Sequence, residues 1–376
     1  MQGPTLGRRI SRAVKLCVLA AIGLLLTAGA SPGGTAIGHE TYTVTNLVSD
    51  GTIPAARTDT NVVNAWGLTA TGTSPWWVAN NGTDSTTLYN GDGVPQPQAT
   101  PLVVSVPGAP TGAVANTTND FVASGTSTGG TSSGPARFLF ATEAGTIRGW
   151  NPGVPPPPPA PPSHQTEIGV DRSAAGSVYK GLAIGSVGTS NFLYATDFVN
   201  GHVDVFDTNF QAVDMPFRDP ELPAGYGPFG IQNIGGRLFV TYAKQSGGND
   251  EVAGQSLGFV DEFATDGTFL ARVATRGQLN APWGLAMAPA NFGRFSGDLL
   301  VGNFGDGTIN AYAPETDGTF AHRGQLRAAD QRPVTIDGLW GLGFGNGAGS
   351  GATNALYFTA GPDDESHGLF GRIQAR

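Results

Sequence analysis

Beyond Cys17 the chain contains no cysteine. Disulfides, thiol nucleophiles and cysteine-based metal sites are therefore excluded from the remainder, whose stability must come from core packing in a large domain. Charge is scarce as well, at 13% of residues, and its basic part is the smaller, with 20 Lys and Arg against 29 Asp and Glu. No window sustains a helical apolar period. The longest apolar run, Leu16 to Ala28, spans about 13 residues, short of the roughly 20 that a membrane span needs. His39, His164, His202, His322 and His367 form no His-x-His or His-Glu-x-x-His pair, which leaves zinc chemistry unsupported. A phosphate-cradling Gly-x-x-x-x-Gly-Lys-Ser/Thr loop is also missing.

The N-terminal segment has the layout of a secretory leader. Arg8, Arg9, Arg12 and Lys15 precede the apolar run, and Ala28-Gly29-Ala30 offers small residues for cleavage. We expect residues 1–30 to be a signal peptide and residues 31–376 a single domain, secreted or held in the periplasm or at the cell exterior. The chain ends at Gln374-Ala375-Arg376 without a hydrophobic sorting tail, so release rather than anchoring is expected. Without the four leader cations, 16 basic residues face 29 acidic ones, a net charge of −13. Such a surface repels nucleic acid and anionic membrane, so neither is an expected partner, and it attracts cations. A monomer is expected.

What the chain has in abundance is glycine (57) and proline (27) between short β-rich runs such as Phe138–Thr142, Phe192–Thr196 and Leu238–Thr241. That is the pattern of an all-β protein with tight turns. An aromatic-Gly-aliphatic step recurs around Gly67, Gly112, Gly181, Gly230, Gly284 and Gly341, at separations of 45, 69, 49, 54 and 57 residues. Each step is followed by a strand, a polar turn and another strand. Units of this length predict a six-bladed β-propeller of four-stranded antiparallel blades, with the glycine strand innermost because only a residue without Cβ lets crowded backbones meet at the axis.

Two interruptions stretch the spacing of the second blade: a Gly/Ser/Thr segment (residues 125–134), read as a loop, and a proline-rich exposed excursion (residues 152–162). A further inserted loop covers residues 244–257, where Gly247-Gly248-Asn249-Asp250-Glu251 offers oxygen ligands without the spacing of a calcium loop. Only 35 residues follow Gly341. The alternating segment Tyr42–Val48 is therefore expected to supply the outer strand of the last blade and close the ring.

Phe192-Leu193-Tyr194-Ala195-Thr196-Asp197 with Gly201, Val203, Val205 and Phe206 resembles the NHL-type repeat. Several further motifs are similar to an uncharacterised family of exported bacterial propeller proteins. They are Asn64-Ala65-Trp66-Gly67-Leu68, Trp77-Val78-Ala79-Asn80-Asn81-Gly82-Thr83, Val178-Tyr179-Lys180-Gly181-Leu182-Ala183 and Pro282-Trp283-Gly284-Leu285-Ala286. The resemblance implies an NHL-like fold and carries no activity with it.

In a propeller of this strand order, the loops leading into the inner strands and those joining the middle strands open on one face. That places Trp66, Asn80, Lys180, Phe229, Lys244, Trp283, Asn303 and Trp340 around one mouth of the channel, with Asn81, Glu143, Asp197, Asp306 and Asp363 nearby. Aromatic faces with amides and carboxylates suit a small polar or carbohydrate ligand. An extracellular protein partner is the other form of a binding or scaffold role. The alternative is a metal-dependent, lactonase-like hydrolase in which Glu143, Asp197 and Asn303 hold a divalent cation such as calcium. Lys180 and Thr111, which break the aromatic pattern of the step, mark the place to look.

Overall fold

A computed structural model describes residues 40–157 and 160–376; the expected signal peptide lies outside the described residues. Six antiparallel sheets form the ring of a six-bladed propeller, and among the described residues only short single turns are helical. From the axis outward, the first blade runs Ala65–Thr69, Trp76–Asn80, Ser85–Tyr89 and Val103–Ser105. The second runs Pro110–Ala115, Phe138–Thr142, Thr146–Trp150 and Glu167–Asp171, and the third Tyr179–Val187, Ser190–Asp197, His202–Phe206 and Ala212–Val213. Tyr226–Ile234, Arg237–Gln245, Gly258–Ala264 and Phe269–Thr275 make the fourth. The fifth comprises Pro282–Met287, Leu299–Asn303, Ile309–Pro314 and Phe320–Gln325.

In the sixth blade Leu339–Phe344, Ala355–Ala360 and Leu369–Ala375 take Tyr42–Ser49 as the outermost long strand, antiparallel to Leu369–Ala375. The N-terminal segment thus closes the ring as expected, and Arg57–Thr58 adds a short parallel edge to it. A closed ring leaves only short outer edges unpaired.

The six step glycines explain why the blades can approach the axis. A Cβ on Gly67 would overlap the backbone of Thr111 and Ala113, and one on Gly112 the backbone of Gly181 and Leu182. The relation repeats around the ring and returns from Gly341 to Trp66 and Leu68 of the first blade. Threonines tie the same seam: Thr111 Oγ1 donates to Tyr179 O at 2.7 Å and Thr196 Oγ1 to Phe229 O at 2.7 Å. Between the sheets, apolar side chains such as Leu139, Leu182, Leu193 and Phe206 form one of several inter-blade cores.

Two expected loops differ. The segment around residues 125–134 is a hairpin, Val122–Ser127 with Gly130–Pro135. Its two Gly-x-Ser-x-Gly spacings carry Ser127 and Ser132, whose hydroxyls are bonded to Pro156 O and Gly153 O, so neither serine stands on a nucleophile elbow. Serine and threonine alternation had disguised a strand pair. The Ser127 and Ser132 bonds tie the hairpin to the proline-rich excursion, where Val154 is buried in the core. The 244–257 insertion is partly ordered by pairing, with Glu251–Val252 laid against Lys244 and Gln245.

Candidate functional site at the channel mouth

The inner strands deliver their step residues to one end of the channel. Trp66, Phe229 and Trp340 are buried there, Trp283 is half-buried, and Phe198 and Phe304 complete an aromatic plug. Trp66 stacks on Trp340 at 3.7 Å, Trp340 on Phe304 at 4.0 Å, and Trp283 meets both tryptophans edge-on at 6.1 and 5.9 Å. Next to the plug the channel is a cavity of about 20 Å³, lined by Gly67, Gly112, Leu182, Leu285 and Leu342 among others. That is room for about one water.

A polar cluster sits on this plug. The Lys180 side chain is 2% exposed, its ammonium 5.0 Å from the Trp66 ring centroid and 2.5 Å from Glu143 Oε1. Asp250 Oδ1 stands 3.8 Å from the same nitrogen. Glu143 is further held by Asn81, whose Nδ2 donates to Oε2 at 3.0 Å. Asn64 is the hub. Its Oδ1 accepts from both indole nitrogens, Trp66 at 2.9 Å and Trp340 at 3.0 Å, and its Nδ2 donates to Asn81 at 3.2 Å and to Glu365 at 2.5 Å. The two indole donors fix which way the amide faces. Trp283 Nε1 donates to Lys180 O at 2.9 Å, locking the lysine strand to the fifth blade.

Two carboxylates of this cluster are shifted by their surroundings. Burial pushes Glu251 up to about 7, opposed by the Lys180 charge and reinforced by Glu365 and Asp250. Glu365 also lies above the usual carboxylate range through burial, with Glu143 and Asp250 adding repulsion while Asn64 and Lys180 oppose it. One ammonium thus faces Glu143, Asp250, Glu251 and Glu365. The backbone that presents Glu365 is itself strained: Asp363, Asp364 and Glu365 have φ of 57°, 50° and 64°, three consecutive left-handed residues. Each costs about 1–2 kcal/mol for a non-glycine residue.

Of the residues expected at the mouth, Trp66, Lys180, Phe229, Trp283 and Trp340 come together, and Glu143 and Asn81 join them. Thr111 is the buried strut between blades described above rather than part of the cluster. Asn80 is wholly buried and bonds Ser85 and Thr87 within its own blade. Lys244 stands over the Tyr226 ring at 5.2 Å. Asn303 is occupied by Gln278 O, Asp306 and Thr308. Asp197 accepts from Val178 N and from Asn200. Glu143, Asp197 and Asn303 thus have separate sets of partners, and their contacts do not join them into a metal triad. Asp197 instead lies near His202 and Asp204, the three offering ligand atoms within 4.8 Å of one another. His202 Nε2 is 3.1 Å from Asp204 Oδ1, and Tyr179 donates to Asp204 Oδ2 at 2.6 Å.

Sequence reasoning missed Asn64 and Glu365, and it treated Glu251 only as part of a loop. A signal for Asn64 existed: it has φ 46°, a conformation that Asn tolerates, just before the inner strand, where Gly338 and Gly225 stand in other blades. Glu365 carries no such signal, because its place is set by a turn of polar residues.

No protein-family model matches the chain. Uncharacterized protein R648 of Acanthamoeba polyphaga mimivirus is 33% identical over 354 residues, 91% of this chain and 82% of that protein. Uncharacterized protein L690 of the same virus is 34% identical over 354 residues, covering 91% and 88%. The chain belongs to their family. Among solved structures it is similar in fold to a protein of unknown function from Bacteroides thetaiotaomicron VPI-5482, at a TM-score of 0.53 and 11% identity over 90% of this chain and 76% of that one. The relatives are viral, and bacterial origin and export stay expectations of the sequence alone.

Proposed function

We propose that this propeller is a binding protein of the cell exterior that holds a small polar ligand at the aromatic channel mouth. The observation behind this reading is the convergence there of ionisable groups from separate blades. Lys180, Glu143, Glu251 and Glu365 come from four blades, and Asn64 and Asn81 from a fifth. Buried charge and strained backbone both lower stability, and such features gather at functional sites. The aromatic plug, Trp66, Trp283, Trp340 and Phe229, supplies apolar ring surface under the cluster, and the surrounding carboxylates and amides accept or donate hydrogen bonds.

A metal-dependent hydrolase is disfavoured at this place by the same geometry. With the Lys180 ammonium 2.5 Å from Glu143, a divalent ion using that carboxylate would face a fixed positive charge. Thermal melting of the protein against sugars, amino sugars, lactones, calcium and EDTA tests the proposal. A saturable rise in melting temperature with a small polar compound, lost in Trp283→Ala, is expected, because a ligand that binds only the folded state stabilises it. A rise with calcium alone, reversed by EDTA and retained in Trp283→Ala, would refute it.

A further inference from the structure

Away from the channel mouth, the seam between the first and sixth blades holds a cavity of about 470 Å³, lined by Asn90, Gln96, Tyr357, Arg372 and Gln374 among others. That volume lies within the range of small-molecule sites. It lies at the opposite end of the blades from the mouth, since Ser85–Tyr89 starts at the turn that carries Asn81 and ends beside Asn90. Gly91 and Gly351 pack directly on the Tyr357 hydroxyl, where a Cβ on either would overlap it, and that hydroxyl donates to Gly91 O at 3.0 Å. Arg372 supplies the positive charge of the lining. Its Nη1 donates to Gly91 O at 3.2 Å and to Asp92 Oδ1 at 2.9 Å, whereas its Nε is buried without an acceptor. Among the described residues Nη2 makes no hydrogen bond either. A buried donor left unpaired costs stability, and such a group in a native fold calls for an acceptor. Other donors face the same shortage. Asn90 gives its Oδ1 to the Asp92 and Val94 amides, while among the described residues its Nδ2 and the Gln374 side-chain amide stay unbonded. Asp92, the one carboxylate of the described lining, has a side chain 74% exposed, and ion pairs of that kind hold weakly.

We propose that this cavity is a ligand site distinct from the mouth, and that it takes a small hydroxylated carboxylate of the uronic acid class. Guanidinium N–H groups pair with carboxylate oxygens two at a time, a fit that a neutral hydroxyl lacks. The ligand carboxylate replaces Asp92 as the counter-ion of Arg372. Its hydroxyl groups accept from Asn90 and Gln374 and donate to Gln96, whose Oε1 is unbonded among the described residues. A purely aliphatic acid would leave those amides unmatched, and much of the remaining lining is glycine and alanine. The protein as a whole is acidic, with 29 Asp and Glu against 20 Lys and Arg, so its general surface does not draw anions and saturable anion binding reports a local cationic site.

The test is titration calorimetry of the full chain at pH 7 with glucuronate, glucose, acetate and inorganic phosphate, repeated on Arg372→Gln, Asp92→Asn and Trp283→Ala, with a melting curve for each variant. We expect glucuronate to bind saturably, and roughly tenfold more tightly than glucose or acetate. Arg372→Gln should weaken glucuronate binding by roughly tenfold or more. Asp92→Asn should strengthen it about threefold by removing the competing carboxylate, and Trp283→Ala should leave it unchanged. Glucose binding as tightly as glucuronate, or glucuronate binding untouched by Arg372→Gln, would overturn the proposal. Glucuronate binding lost in Trp283→Ala and kept in Arg372→Gln would place the ligand at the mouth instead. Phosphate binding more tightly than glucuronate, and lost in Arg372→Gln, would overturn the carboxylate assignment. If Arg372→Gln proves unfolded, Asp92→Asn decides, and an affinity no higher than the parent's overturns the proposal. The absence of saturable heat from all four compounds would remove the site.

Discussion

Among the described residues, two groups of acidic side chains differ in who answers them. In the third blade Asp197, His202 and Asp204 sit on one hairpin, and their oxygens are met by neighbours a few residues away or on the next strand. Asp204 is held below the usual carboxylate range although burial opposes it, because His202, Tyr179 and Arg172 favour its charged form. At the channel mouth the carboxylates arrive from separate blades, and Glu251 and Glu365 are held above their ordinary range, mainly by burial. The hairpin group stabilises its own turn. The mouth group is one that stability alone would not assemble. Proximity of acidic groups is therefore a weaker guide to function than the direction in which their surroundings push them.

Substitutions should separate the two places in a definite order. The largest effect is expected from Trp66→Ala, which removes a fully buried ring stacked on Trp340 and bonded to Asn64; a loss of about 3–5 kcal/mol in urea unfolding would place the plug in the core of the fold. Lys180→Met should cost about 2–4 kcal/mol, because it strands Glu143 beside other carboxylates. Adding Glu143→Gln should restore part of that loss, and strictly additive losses would show that the pair is not coupled. Glu251→Gln should stabilise the protein by roughly 1–2 kcal/mol at pH 8 and do little at pH 5, since only the ionised form is disfavoured by burial. The smallest change belongs to the hairpin. His202→Asn, at a half-exposed side chain, should shift stability by less than about 0.5 kcal/mol.

Much of the architecture was legible because the repeat is geometric. Six glycines mark six close approaches, and the shortage of chain after Gly341 pointed to Tyr42–Val48, which lies within the observed closing strand Tyr42–Ser49. The mouth was legible to the extent that it uses the repeat. Lys180 occupies the place that Trp66, Trp283 and Trp340 take in other blades, so its departure from pattern could be seen. Asn80 and Asn303 share repeat positions too, yet hairpin hydroxyls and carbonyls claim them, and residue type alone does not distinguish the two fates. Glu251 lies on a two-residue strand inside an insertion and Glu365 on a turn, and no periodicity encodes the path of either. The Gly/Ser/Thr hairpin was hidden for the opposite reason, since its strands lack the apolar alternation that marks a strand with one buried face.

If the mouth holds its carboxylates at the expense of stability, removing their charge must stabilise the protein at high pH. Urea unfolding of the protein and of Glu251→Gln/Glu365→Gln, compared between pH 4.5 and 8, tests it most directly. A carboxylate whose folded pKa is raised keeps its proton longer in the folded state, so that stability falls as pH rises through the interval between the unfolded and folded values. For Glu251 that interval runs from 4.5 to about 7. The variant is expected to lack a component of this decline and to be the more stable protein at pH 8. Identical pH profiles for the two proteins, with the variant no more stable at pH 8, would contradict it.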